Sequence, residues 1–273
     1  MIKKKLSSVG INVLAWVISI ILLAPLVLIL FNSMKDAISA SDMSMMPPLK
    51  IHWENFKTVI EKGKLTTTFL NSFIYSAGSV VLTTILSAMA AYVLSRRRTR
   101  LHNFLYYFIA LGITVPINFV ALMRVMQLLH LNNTRVGIIL LYTATQIPFN
   151  LFLIYSFVNK IPRDIDEAGI LDGCSPMRLF FSLIFPTLKP VLVTVMVLTF
   201  LNTWNEFVMP LYFLGETTKW PMTLAVYNFF GMYFKDWNLV CADIVLTSLP
   251  VVIVYLLGQK YIVSGMTAGA VKG

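Results

Sequence analysis

Charged residues are scarce in this sequence. They make up 12% of its 273 residues, whereas hydrophobic residues reach 58% and the mean hydropathy is +0.77. Soluble domains carry about 25% charged residues, so the chain lacks the polar surface that a water-soluble globule needs. The composition therefore predicts a membrane protein.

Cysteine and histidine are also rare, and their spacing is unlike that of a metal site. Cys174 and Cys241 form no C-x-x-C pair, and His52, His102 and His130 lie far apart. We therefore predict neither a metal site nor a catalytic residue. The phosphate-loop pattern G-x-x-x-x-G-K-[ST] is missing too, so the chain does not bind ATP by that device.

The charge that is present is mostly positive, with a formal net charge of +10. In a soluble protein this excess would suggest nucleic acid. Here the basic residues lie beside apolar runs, which is the pattern that sets orientation in a bilayer. We therefore expect a lipid membrane as the surroundings and no nucleic-acid partner.

Six apolar segments approach or exceed the length of about 20 residues that a helix needs to cross a bilayer. They predict a single all-α transmembrane domain over residues 1–273. The first segment is longer than the apolar core of a signal peptide, which spans about 7–15 residues, so we expect a retained anchor. The expected spans are 11–33, 71–95, 104–127, 136–159, 188–214 and 239–261.

The short loop "SRRRTR" between the second and third spans indicates the orientation. It carries Arg96, Arg97, Arg98 and Arg100, and short basic loops face the cytoplasm. Six spans then place both termini in the cytoplasm, together with the long loop 160–187.

Polar side chains interrupt spans three to five at similar depths. Such groups are costly in lipid and usually face a cavity or a partner. Amides both donate and accept hydrogen bonds, which suits an uncharged, hydroxyl-rich solute. Hydrogen bonds between helices are the alternative. The candidate translocation-path residues are Asn118, Gln146, Asn150, Asn202, Asn205 and Glu206.

The loop 160–187 is much longer than a connector needs to be, and long loops tend to be functional. Its acidic beginning favours the N-terminus of a short helix, which Gly173 can end in a left-handed conformation. Ser175 can then cap, and Pro176 start, a second helix. The alternative, a helix lying on lipid, fits poorly because acids are repelled by an anionic leaflet.

The loop resembles a known motif. The order Glu167-Ala168-Gly169, then Gly173, then Ile184-Phe185-Pro186 resembles the E-A-A…G…I-x-L-P loop of importer-type ABC permeases. Three segments are similar to MalG-type permeases of carbohydrate ABC importers, and the resemblance covers nearly the whole chain. These segments are 148–169, 202–213 and 265–273.

The chain departs from this pattern at three positions. Gly169 stands where the motif has its second alanine. Glycine is less favourable than alanine inside a helix by about 1 kcal/mol, so the loop helix should be more flexible. Phe185 replaces leucine. Asp243 is an acid where a small residue is expected, and it raises the alternative of a path that is not strictly neutral.

The resemblance implies a type I importer permease with six helices and cytoplasmic coupling helices, located in the bacterial inner membrane. The implied partners are a MalF-type permease, two cytosolic ATPases that bind the ATP, an external solute-binding protein and a sugar that stays unnamed. The tail 265–273 would also approach the ATPases. The implied ATPase-coupling residues are Asp166, Glu167, Ala168, Gly169, Asp172 and Gly173.

Two other functions remain as alternatives. A secondary transporter could couple uptake to protonation of Glu206 or Asp243 and would need no ATPase. A membrane scaffold could use the loop to recruit a soluble protein, and its intramembrane amides would then be replaceable by apolar residues.

Overall fold

Helices make up every regular element that the structure describes. The computed structural model describes residues 2–97, 99–229 and 236–270, and side chains between residues 11 and 261 within those ranges. The all-α prediction is confirmed. The helices are α1 (Ile2–Ser33), α2 (Ala37–Ser41), α3 (Glu54–Lys62), α4 (Leu65–Arg96), α5 (Arg100–Leu111), α6 (Phe119–Leu128), α7 (Arg135–Val158), α8 (Asp164–Leu171), α9 (Pro176–Arg178), α10 (Phe185–Thr187), α11 (Lys189–Trp204), α12 (Val208–Phe213), α13 (Met222–Ala225) and α14 (Trp237–Ala270).

Shorter helical segments complete the list. A π-helix, Leu179–Ile184, joins α9 to α10. Turns of 3₁₀ helix cover Thr217–Lys219 and Val226–Phe229.

Four helices of the described chain are long and apolar enough to cross a membrane. They lie in α1, α4, α7 and α14. A fifth crossing results if Pro176–Thr187 and Lys189–Trp204, which meet at 81°, form one bent span. The six-span count stays a prediction.

The expected third span, 104–127, is wrong as one continuous helix. Helix α5 ends at Leu111 and α6 begins at Phe119. Pro116 lies in the gap and has no N–H group to continue a helical ladder. Asn118 then starts α6, because its Oδ1 accepts the Ala121 amide at 3.0 Å and so satisfies a free donor of the first turn.

The expected fifth span, 188–214, is also two helices, α11 and α12. Helix α11 ends at Trp204. Glu206 precedes the next helix, which begins at Val208, and its Oε1 accepts the amides of Val208 and Met209 at 2.8 and 3.0 Å. A helix start leaves such amides without partners inside the helix, and a side-chain acceptor satisfies them.

The chain divides into two compact units, and the divisions fall within α4, α13 and α14. The first unit comprises Met1–Thr68 and Leu224–Leu249, and the second comprises Phe69–Thr223 and Pro250–Gly273.

A buried asparagine holds the first unit together. Asn55 Nδ2 donates to the carbonyl oxygens of Ser33 and Lys35 at 2.9 and 2.8 Å. Its Oδ1 accepts from Asn238 Nδ2 at 2.9 Å. Buried polar groups need such partners, so one amide ties three segments of sequence into this unit.

Two apolar clusters form the core of the second unit. The first joins α4, α7, the π-helix and α11, and the second joins α4, α6, α7 and α12. Small residues on α4, including Ser79, Thr83, Ser87 and Ala91, are fully buried, which lets neighbouring helices approach closely. The first cluster contains Ala88, Ala91, Ile154, Val158, Phe180, Ile184, Leu188, Val191, Leu192 and Val195. The second contains Tyr75, Met126, Ile138, Leu141, Tyr142, Met209, Phe213 and Leu214.

Candidate functional site: a tethered loop helix and a polar cavity

Helix α8 forms where the acidic stretch predicts it. Asp164, Asp166 and Glu167 occupy its first turn, where carboxylates interact favourably with the helix dipole. The helix stops before Gly173, whose φ of +74° is the left-handed conformation that glycine adopts at low cost. The predicted C-terminal end of this helix is confirmed.

Asp166 turns inward and fastens α8 to the end of α4. Its Oδ2 lies 2.8 Å from Arg96 Nη2, and both side chains are largely buried. The Tyr92 hydroxyl donates to Oδ1 at 2.5 Å. Asp166 therefore supports the loop helix from within, and its carboxylate is not placed for direct contact with a partner.

The same end of α4 also fastens the chain that leads into α8. Arg96 donates to the Ile161 carbonyl from both terminal nitrogens at 3.3 and 3.2 Å. Ser95 Oγ donates to Asn159 Oδ1 at 2.8 Å. We call Tyr92, Ser95 and Arg96 the α4 clamp.

Gly169 has a packing role that the motif comparison did not give it. The residue is buried, and a Cβ there would lie 2.5 Å from Leu179 Cδ1 and 2.8 Å from Leu183 Cδ1. Glycine lets α8 approach the π-helix closely. Glycine in place of the motif's second alanine therefore allows this tight contact, in addition to the expected flexibility.

The remaining predicted coupling residues lie on the exposed side of the loop. Glu167, Ala168, Asp172 and Gly173 are all exposed. Two large apolar side chains accompany them, Ile170 at 63% and Leu171 at 87% exposure. Apolar groups this accessible at the end of a helix suit a partner surface.

A second feature is a cavity of about 240 Å³ between α7, α11 and the segments that follow α5 and α11. Three predicted path residues, Gln146, Asn202 and Glu206, line it together, and Asn202 Nδ2 donates to Gln146 Oε1 at 3.3 Å. The complete lining is Ile117, Tyr142, Thr145, Gln146, Asn202, Thr203, Glu206 and Met209.

The other three predicted path residues lie elsewhere. Asn118 caps α6, and Asn205 Nδ2 donates to the Leu201 carbonyl of its own helix at 2.8 Å. Asn150 is fully buried and donates to Thr199 Oγ1 at 2.7 Å. Only the Asn150 contact is the hydrogen bond between helices that the alternative predicts, because Asn118 and Asn205 bond to the backbone of their own helices.

Asp243 belongs to the first unit. It is 1% exposed, and its Oδ1 has no hydrogen-bond partner among the described residues. A buried carboxylate oxygen without a partner is costly. The structure brings no predicted path residue into the same unit as Asp243.

Comparison with known proteins assigns the chain to a family. Residues 83–268 match the family model described as "Binding-protein-dependent transport system inner membrane component".

The chain belongs to this family.

Similar proteins align with this family member over most of its length. The probable starch degradation products transport system permease AmyC of Thermoanaerobacterium thermosulfurigenes is 30% identical, over 94% of each chain. The melibiose/raffinose/stachyose import permease MelC of Bacillus subtilis is 31% identical, over 96% of each chain.

A solved structure gives the same fold. It is described as a crystal structure of a bacterial ABC transporter involved in the import of the acidic polysaccharide alginate. Its matching chain has a TM-score of 0.84 and 22% identity, with 95% of this chain and 97% of that chain covered.

The sequence pattern does not identify several residues of these two sites. Tyr142 and Thr145 line the cavity, but they resemble ordinary span residues. Tyr92 and Arg96 hold the loop helix, whereas the sequence pattern presents Arg96 only as an orientation signal. One sequence feature distinguishes Arg96 from the other arginines of the loop. It is the first of them and therefore continues α4.

Proposed function

We propose that this chain is one of two permease subunits of an ATP-driven importer for a sugar or oligosaccharide. As a family member, it is an inner-membrane component of a binding-protein-dependent transport system. Two similar proteins are permeases named for starch degradation products and for melibiose, raffinose and stachyose. The chain performs no covalent chemistry in this proposal.

The proposal rests on helix α8. Contacts within the chain hold its inner side, and its outer side is exposed. The α4 clamp and the Gly169 contact hold its inner side. Its outer side presents Glu167, Ile170 and Leu171 to the surroundings. A cytosolic ATPase that binds ATP covers this outer side.

The contacts of α8 explain how the movement of a partner reaches the membrane. Displacement of α8 pulls on α4 through Asp166 and Arg96, and on α7 through the chain that leads into α8. Contact of Gly169 with Leu179 pushes the π-helix, which belongs to the same cluster as α11. Closely packed elements shift together because there is little free space to absorb the motion.

Orientation follows from the basic loop between α4 and α5. With that loop in the cytoplasm, α8 and both termini lie on the side of the ATPases. The predicted tail contact falls in 265–273, where the side chains, and residues 271–273 altogether, lie outside the described part of the chain. A solute-binding protein delivers the sugar on the opposite side, and a second permease completes the pore.

The test is to disrupt the outer side of α8. Leu171→Asp and Glu167→Ala should each reduce ATP-driven uptake at least tenfold, and the Leu171 variant should lose the ATPase on purification. Asp164→Asn is the matched control, since Asp164 is also exposed on α8 but lies at the end away from Leu171.

Two results would contradict the proposal. One is full uptake and full ATPase recovery in both variants. The other is wild-type uptake that continues without ATP and stops when the proton gradient is collapsed, which would favour the secondary transporter.

A further inference from the structure

The cavity between α7 and α11 offers more hydrogen-bonding groups than the chain itself uses. The Tyr142 side chain lines it and is only 2% exposed. Its hydroxyl has no hydrogen-bond partner among the described residues. The hydroxyl oxygen itself is buried in this conformation. Burying a hydroxyl group without a partner costs free energy, so a solute group that bonds to it as the cavity opens is stabilising.

Two side-chain amides of the cavity also have hydrogen-bonding groups that the chain does not use. Asn202 Nδ2 donates to Gln146 Oε1, which leaves Gln146 Nε2 as a donor and Asn202 Oδ1 as an acceptor without partners among the described side chains. One comes from α7 and the other from α11. An amide offers both kinds of group, and so does the hydroxyl of a solute.

Glu206 adds an acceptor and excludes one class of solute. Its Oε1 is occupied by the amides that start α12, whereas a carboxylate can accept further bonds at its second oxygen. The described lining contains no lysine, arginine or histidine. A carboxylate without a nearby cation repels phosphates and acids, so the cavity suits a neutral solute.

The size and the apolar surface of the cavity further limit which solutes fit. Ile117 and Met209 supply apolar wall, which matches the C–H faces of a sugar ring. The volume of about 240 Å³ is below the roughly 300–1,000 Å³ of pockets for drug-sized ligands. The cavity therefore accommodates one ring and not a whole oligosaccharide.

We infer that Tyr142, Gln146, Asn202 and Glu206 form a subsite of this chain that binds one hydroxyl-bearing ring of a neutral sugar during transport. The inference rests on the proposed function. It adds that this permease binds the cargo itself, in addition to lining the path.

The test uses the complete importer, purified with its partners, reconstituted in vesicles and supplied with ¹⁴C-labelled maltose, melibiose and raffinose. Tyr142→Phe removes only the unpartnered hydroxyl, so packing is preserved. Asn202→Ala removes one amide. Each variant should raise the KM of the transported sugar about threefold to tenfold, as expected for one lost hydrogen bond, with the maximal rate and the yield of complex unchanged.

Asn205→Ala is the matched control. It removes the same side chain from the end of the same helix, but Asn205 bonds to its own backbone and lies outside the cavity lining. We expect its KM to equal that of the wild type.

The outcomes separate the subsite from the proposed function. If the wild-type importer transports a sugar and both cavity variants keep its KM, the subsite is wrong and the function stands. An equal rise of KM in the Asn205 control also overturns the subsite. If wild-type uptake continues without ATP and stops when the proton gradient is collapsed, the proposed function is overturned, and the subsite with it.

Discussion

Arg96 and Asp166 form an ion pair with 2.8 Å between Nη2 and Oδ2, which joins the end of α4 to α8 across 70 residues of sequence. Both side chains are largely buried, at 14% and 11% exposure. Coulomb attraction is stronger there than in water because screening is reduced. The pair therefore ties the position of α8 to that of the end of α4.

Removing one partner of this pair should destabilise the chain and uncouple transport. For Asp166→Asn we expect a loss of about 3 kcal/mol, since Arg96 keeps a buried charge without its partner. Tyr92→Phe should cost less, about 1.5–2 kcal/mol, because it removes one hydrogen bond to a charged group. Thermal unfolding in detergent measures both, and uptake per ATP hydrolysed measures coupling.

Comparing the stability losses of the two variants tests which contact holds α8. A Tyr92→Phe variant that is less stable than Asp166→Asn would mean that the hydroxyl, and not the ion pair, holds α8. Asp164→Asn serves as the control, because that carboxylate is exposed at the same helix end.

The positive φ of Gly173 predicts a backbone effect without a packing effect. No atom lies within 4 Å of a Cβ built there, so Gly173→Ala should cost only the left-handed strain, about 1 kcal/mol. Gly173→Asn should cost less, because asparagine tolerates this conformation. Unfolding curves of both variants measure the difference.

Gly215→Ala is the control for this position. Gly215 also has open space around its Cβ, but its φ is not positive, and a change within about 0.5 kcal/mol is expected. Equal losses at the two glycines would contradict the strain argument.

The bond between Asn150 and Thr199 should contribute to packing and not to solute binding. Thr199→Val removes the acceptor of a buried bond of 2.7 Å. Hydrogen bonds between membrane helices contribute about 0.6 kcal/mol on average and up to about 1.7, so a loss of about 1 kcal/mol is expected. The KM for the transported sugar should stay at the wild-type value, and a rise comparable to that of Asn202→Ala would place Asn150 in the path after all.

Glu216 predicts a pH effect on the segment between α12 and α13. Hydrogen bonds from Lys219 and then Asn133 hold the pKa of its carboxyl below the ordinary value of 4.5. Because the pKa is lower in the folded state, the stabilisation is complete above about pH 4.5 and is lost as the pH falls through the folded-state value.

Hydrogen exchange of residues 214–222 measures this effect. Exchange in the wild type should rise as the pH falls below 4.5, after correction for the intrinsic rate. Glu216→Gln should remove this step. A step of the same size in the variant would assign the effect to another group.

The class, the family resemblance and the approximate extent of α8 follow from the sequence alone. Low charge and long apolar runs predict membrane helices because burial in lipid depends on composition and length alone. The limits of α8 are equally local. Its acids favour a helix start, and Gly173 adopts the left-handed conformation that ends the helix.

Which polar residues lie together depends on the tertiary structure. Six amides and acids had similar predicted depths, but just three of them, Gln146, Asn202 and Glu206, line one cavity. Depth along a helix is a property of sequence position. The direction of a side chain also depends on breaks such as the one at 112–118, which reset the helical phase.

The same reason explains the two unexpected roles in the loop. Asp166 matches its motif neighbours in sequence, yet it points toward Arg96 because α8 lies against the end of α4. Gly169 fits because the π-helix passes close to it. Contacts between segments that are distant in sequence depend on how helices pack, and the local pattern of residues does not contain that information.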